Sequence, residues 1–392
     1  MKSPTVALLT ALATLAHADV PSDLVTSIPG FEVTKFNTYS GYLHVPGPIA
    51  GYDSLKIAYI FNEARSDPSS KPLTTWHQGG PGGNSFYGLF GEGGYFQVAQ
   101  DGPDTVTFPN NATSWNLVSN MLYLDSPAGS NDPIGFSTCN ENGKLATICS
   151  WNDVTQAEAY ASTLLAFYKA FPEYATNELY LTGESYAGQY LPNIANEILT
   201  NSKYASIPLT GLAVGNGCWG GDKNSVNCNG PNSDQNDLDN YWGKGLISNA
   251  QYFDTYQKCN FQHGGATNAS APTKKTSNDC QTALEDADNT VGPHDVYDIY
   301  DNCPGAANEI ATWHEKSGKS VRWLKNYMRQ HLSSPSMTVE EKRRHLTDLA
   351  GGYQWPCGGL DTLADWLSRV DIRKALHFDT VNPVHFNYDT SG

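Results

Sequence analysis

The stretch YLTGESYAGQYLP, residues 180–192, constrains this chain more than any other. Its first residues are apolar and β-forming, and the residues after it recur at helical spacing, so a strand passes directly into a helix. A corner that sharp tolerates only small side chains two residues before and two residues after its apex. Gly183 and Ala187 hold those places around Ser185. Such a corner lifts the serine hydroxyl out of a sheet and aims a helix N-terminus at it. Small-x-Ser-x-small is a common pattern, and its meaning comes from the strand before it and the helix after it.

The flanking sequence supplies a sheet for that corner to leave. LKIAYIFNEA (55–64), LTTWHQ (73–78) and NMLYLDSP (120–127) are short apolar runs bounded by Gly, Pro, Asn or Ser, and read as strands. A helix follows, capped by Asn152, with Ala157, Ala161, Leu164, Leu165 and Tyr168 on one face and Pro172 at its end. ELYLT (178–182) is the next strand, 187–200 the next helix and LTGLAVGNG (209–217) the next strand. This alternation implies an α/β fold with a mostly parallel central sheet and helices on its faces.

After Cys218 the sequence turns Asn- and Gly-rich. Helical pieces remain, one marked by Val321, Leu324, Met328 and Leu332 and another by the capping box Thr338–Glu341. The expected organisation is a signal peptide at 1–18, a core at 19–217, an inserted, mainly helical cap at 218–350 and an incomplete return to the core at 351–392. The run LDTLADWLSRVDIRKALHF (360–378) reads as helix within that return.

Charge and cysteines narrow the function classes. A net charge of −16 argues against nucleic acid and against anionic membrane surfaces, which attract basic patches. Lys2, the apolar run from Val6 to Leu15 and Ala16-His17-Ala18 have the form of a secretory signal with its cleavage site. No later run approaches the roughly 20 apolar residues of a membrane span. The 8 cysteines fit an oxidising compartment. Without C-x-x-C or H-E-x-x-H they read as disulfides, and no metal or cofactor is expected. Cys139 with Cys149 and Cys218 with Cys228 are close enough in sequence for local bridges, but eight cysteines allow about 105 pairings and the choice stays open. Asn111 and Asn268 open glycosylation sequons. The oligomeric state leaves no trace in the sequence.

A second chemical element lies about a hundred residues upstream of the serine. TWHQGGPGGNS (75–85) is a glycine-rich loop leaving a strand, and backbone N–H groups approach a developing oxyanion only where side chains are absent. Gly79 and Gly80 are such donors, beside the amide of Tyr186. No G-K-[ST] follows, so the loop is not a phosphate loop.

With these blocks in order, the sequence resembles the serine carboxypeptidases of the α/β-hydrolase fold. WHQGGPGGNS is similar to that family's W-L-N-G-G-P-G-C-S-S, and LYLDSPAG (122–129) with GFS (135–137) to its L-Y-[IL]-D-x-P-x-G and G-F-S. LTGESYAGQYLP resembles its nucleophile segment, and GLAVGNG and RKALHF two further blocks. The resemblance implies Ser185 as nucleophile, with the amides of Gly80 and Tyr186 as oxyanion hole. Glu92 and Glu184, with Gln78 and Gly79, would bind the free C-terminal carboxylate of a peptide. Carboxyl groups hold a carboxylate only by sharing protons, so such a site works best at acid pH. The chain would be secreted or vacuolar.

Three departures accompany the resemblance. Gln78 stands for the family's Asn, and Gly83 for its Cys, which removes one family disulfide. The triad's Asp and His blocks would lie beyond the ALH block, yet the sequence given stops at Gly392. Asp295, Asp298, Asp301 and His314 follow the serine but fall in the expected cap, and Asp379 and His385 stand six residues apart without a strand to carry each into place. The expectation is a truncated chain, weakly active or inactive. The alternatives are an acyltransferase of the same family and a non-catalytic peptide-binding fragment.

Overall fold

The computed structural model describes residues 20–32, 34–100, 106–130, 135–218, 233–261, 277–292, 360–378 and 385–389. After a 3-10 turn at Val20–Asp23 comes a hairpin of strands β1 (Thr38–Ile49) and β2 (Tyr52–Asn62). Their turn places Ala50 and Gly51 at positive φ, the geometry that matches the twist of the flanking strands. Then come β3 (Leu73–His77), β4 (Asn120–Leu124), β5 (Thr138–Glu141), β6 (Lys144–Leu145) and β7 (Ile148–Asn152). Helix α1 (Asp153–Ala170), β8 (Leu179–Glu184), α2 (Ala187–Thr200) and β9 (Leu209–Gly215) complete the alternating part.

Eight strands form one sheet in the order β9-β8-β3-β4-β2-β5-β6, with β1 paired to β2. The sheet is mixed. The pairs β9–β8, β8–β3 and β3–β4 are parallel, while those around β2 are antiparallel. Side chains alternate across it as the pleat requires. Phe61, Leu122 and Leu124 point into a core with Leu164, Phe167, Tyr190 and Ile194 of α1 and α2. Ile60, Met121 and Tyr123 point the other way, into a core with Phe86, Phe90, Trp366 and Leu376. The sheet therefore lies between two apolar layers, the arrangement of an α/β-hydrolase.

Three helices, α3 (Ser233–Gly243), α4 (Asn249–Cys259) and α5 (Asn278–Val291), bury Leu238, Tyr252, Tyr256 and Leu284 in a cluster of their own. The disulfides Cys139–Cys149 and Cys259–Cys280 are both formed. The first is one of the local bridges the sequence allows, and the second is a pairing that spacing did not single out. Cys218 is also disulfide-bonded. Cys228, the signal-like 1–18 and the helical pieces near 321–341 lie outside the described residues.

The run 360–378 is two helices, α6 (Leu360–Ser368) and α7 (Val370–Ala375). Arg369 breaks it by taking extended backbone, with its guanidinium paired to Asp371 at 2.7 Å. A last strand, β10 (His385–Asp389), runs parallel to β7 in a separate two-stranded sheet.

Candidate active site

Register places the site. His77 of β3 stands opposite Gly183 of β8, and Glu184 opposite Gly215 of β9, so the loops leaving these parallel strands start side by side. A side chain at Gly183 would put its first carbon 2.3 Å from the His77 carbonyl oxygen and 2.7 Å from the Ala187 Cβ. Only glycine passes there.

Ser185 has φ +55°, a left-handed conformation that a non-glycine residue adopts only when its surroundings impose it. Its N–H donates to the Gly215 carbonyl at 3.0 Å, and its carbonyl accepts from the N–H groups of Gly188 and Cys218 at 2.9 and 2.8 Å. The corner is thus held from the next strand, from the helix and from the chain after β9. Its half-buried side chain lies 3.9 Å, Oγ to Sγ, from Cys218.

The glycine-rich loop closes over this corner. A Cβ on Gly79 would come 2.6 Å from the Ser185 Cβ and 2.7 Å from the Tyr186 nitrogen. Gly80 follows at φ +114° and is exposed. The structure therefore brings Gly79, Ser185 and the Tyr186 amide together, with Gly80 one residue along.

Gln78 joins the loop to two carboxyl groups. Trp76 Nε1–H donates to its Oε1 at 2.9 Å, which fixes the amide and turns Nε2 toward Glu184 Oε1 at 2.5 Å and Glu92 Oε1 at 3.3 Å. Glu92 closes a π-helical turn, Gly88–Glu92, packed on Trp76 so tightly that a Cβ on Gly88 would lie 2.1 Å from the indole nitrogen. Burial, and then the charge of Glu184 beside it, push the Glu92 carboxyl up to about 8, and burial raises Glu184 as well. The pair keeps a proton where isolated carboxyl groups have lost theirs. Such a pair can donate to an incoming carboxylate.

Two neighbours escaped the sequence reading. His77 is fully buried between Tyr160 of α1 and Tyr190 of α2, with ring centroids 5.2 and 4.2 Å away. Tyr190 Oη accepts from the Gly82 N–H at 3.1 Å. The place of His77 at a strand end before a glycine run was a signal, but a buried histidine within an apolar strand looks like ordinary core, as does a tyrosine inside a helix.

Of the sequon residues, Asn111 is half-buried with its Oδ1 accepting from the N–H and hydroxyl of Thr113, both at 2.9 Å. Asn268 lies outside the described residues, as do Asp295, Asp298, Asp301, His314 and Asp379. His385 does open a strand, contrary to expectation, but β10 belongs to a sheet other than the one carrying Ser185.

Comparison with known proteins shows what the chain is similar to. The lysosomal protective protein of Mus musculus is 39% identical over 211 residues, which are 54% of this chain and 40% of that protein. Serine carboxypeptidase-like 34 of Arabidopsis thaliana is 29% identical over 377 residues, 92% of this chain and 66% of the plant protein. The chain thus spans well under the full length of either relative. The crystal structure of a prohormone-processing carboxypeptidase from Saccharomyces cerevisiae superposes with a TM-score of 0.56 at 21% identity, covering 92% of this chain and 69% of that one, which establishes the shared fold. The family model for serine carboxypeptidase matches residues 29–390, and the chain belongs to that family.

Proposed function

We propose that the site binds peptides by their free C-terminal carboxylate and presents the last peptide bond to Ser185. The observation that carries this reading is the pair Glu92–Glu184 bridged by Gln78 Nε2, one residue from the strained serine. A retained proton between two carboxyl groups recognises a third carboxylate and discriminates against an amide. In the reaction Ser185 Oγ attacks the peptide carbonyl, its proton passes to the departing amine as the C–N bond breaks, and water then cleaves the ester. The amides of Gly80 and Tyr186 would take the developing negative charge. Residues 218–350 would act as a cap over this site. The signal-like N-terminus and the sequons at Asn111 and Asn268 support a glycosylated, secreted or vacuolar protein.

A slow or purely binding version is the second reading. Among the described residues the Ser185 hydroxyl meets the Cys218 sulfur and no imidazole. A serine without its base is a weak nucleophile, although a preformed oxyanion site retains residual rate. Calorimetry with a blocked dipeptide and its C-terminal amide tests the reading together with fluorophosphonate labelling. The acid should bind, the amide should not, and the label should map to Ser185. Equal binding of acid and amide would defeat the reading, and transfer of the acyl group to an alcohol faster than to water would redirect it to acyl transfer.

A further inference from the structure

We propose that His77 is a positioning residue for the oxyanion loop: its imidazole, clamped between two tyrosines, holds the Gln78 carbonyl inward and so sets the direction of the Gly79 amide and the root of the Gln78 side chain. The inference rests on the function proposed above.

The ring's hydrogen bonds define its state. Nδ1 lies 2.7 Å from the Gln78 carbonyl oxygen, an acceptor, so Nδ1 carries the proton. Nε2 then offers a lone pair, and the Gln156 side-chain amide donates to it at 2.9 Å. Both nitrogens are satisfied by a neutral ring. The groups facing it are Gln156 and Tyr160 from α1, Tyr190 from α2 and the bare Gly183 of β8, none of them charged. Burial accordingly lowers the ring to about 4, with the Gln78 carbonyl opposing part of that shift. It stays neutral over the range in which Glu92 and Glu184 share a proton.

Geometry carries the consequence to the site. A trans peptide is planar, so a Gln78 carbonyl drawn toward His77 sends the Gly79 N–H to the opposite side. Gly79 is the residue whose Cβ would strike Ser185. The same aromatic stack fixes the far end of the loop, because Tyr190 accepts from Gly82. Two rings in contact thus hold one carbonyl and one N–H of the segment 78–82. Gln78 is also the residue whose amide touches both carboxyl groups, so its backbone and its side chain are anchored separately, by His77 and by Trp76.

Three variants test the role. His77→Leu removes the donor while keeping an apolar side chain of the kind the family's W-L-N-G-G pattern carries there. His77→Asn places an N–H where Nδ1 was, and His77→Gln places one where Nε2 was. Loss of a buried donor to a site backbone predicts about tenfold slower fluorophosphonate labelling of Ser185 and about tenfold weaker binding of a free-carboxylate dipeptide in His77→Leu. His77→Asn should recover most of both, and His77→Gln should not. In the unmodified protein, nitrogen NMR should show a neutral Nδ1–H imidazole at pH 6. Wild-type behaviour of His77→Leu, or equal behaviour of the Asn and Gln variants, would overturn the proposal even if His77→Leu folds poorly. An unmodified protein that neither labels nor binds would remove the function itself, and this inference with it.

Discussion

At the scale of single residues, the carboxyl pair makes the sharpest demand. Glu92 is raised to about 8, so ionisation of the pair completes only as pH climbs past that value. Anion binding needs the retained proton, hence affinity for a free-carboxylate peptide should be full at acid pH and decline by up to about tenfold per unit above pH 8. Glu92→Gln replaces the titrating group with a permanent donor, and the decline should flatten when affinity is followed by calorimetry from pH 5 to 9. A matching decline in the variant would show that some other group titrates. Gly79→Ala is the companion case: its Cβ would meet Ser185 at 2.6 Å, so labelling should drop by two orders of magnitude or about that. The corner at Ser185 was legible in the sequence because its requirements are local: small neighbours, a strand and a helix. The surroundings of Glu92 and His77 were less so. The first reaches Gln78 through a π-helical turn that no periodicity announces, and the second is defined by rings that arrive from two distant helices.

At the scale of elements, caps and crossings decide stability. Asn152 Oδ1 accepts from the N–H groups of Val154 and Thr155 at 3.1 and 3.0 Å, while Thr155 Oγ1 accepts from the Asn152 N–H at 2.9 Å. This reciprocal cap starts the helix that supplies Gln156 and Tyr160 behind the site, and Asn152→Ala should cost about 1 kcal/mol in urea unfolding. Asn152→Asp should cost little, since it retains the acceptor. The cap could be read from sequence because it depends on residues three apart. The alternating strands could be read too, for β3, β4 and β8 bury apolar side chains and β9 keeps an apolar run whose Leu209 and Val214 are partly buried against the same core. The antiparallel edge could not. Strand β5 reads TCNE and β6 is Lys144–Leu145, with too little apolar content to reveal a strand, and the hairpin with β1 and the neighbour β4 settle where that half of the sheet lies.

At the scale of the whole molecule, the described chain has three apolar clusters, two of them sharing the sheet and the third formed by α3, α4, α5 and the adjoining residues Leu246, Ile247 and Phe261. The third is small, and the Cys259–Cys280 bridge joins α4 to α5 inside it with both cysteines fully buried. A cross-link spanning 21 residues restricts the unfolded chain by about 3 kcal/mol, a large fraction of what so small a cluster supplies. Replacing both cysteines with alanine should therefore speed amide exchange throughout α3–α5, because the segment opens as one unit. Amides of α1, α2, β3 and β8 should keep their protection, since their side chains pack on the sheet and not on this cluster. Labelling of Ser185 should persist for the same reason: its corner is held by Gly215, Gly188 and Cys218. If exchange instead quickened in α1 and α2 to the same degree, the three helices would be folding with the sheet as one cooperative body, and their cluster would be an extension of the core.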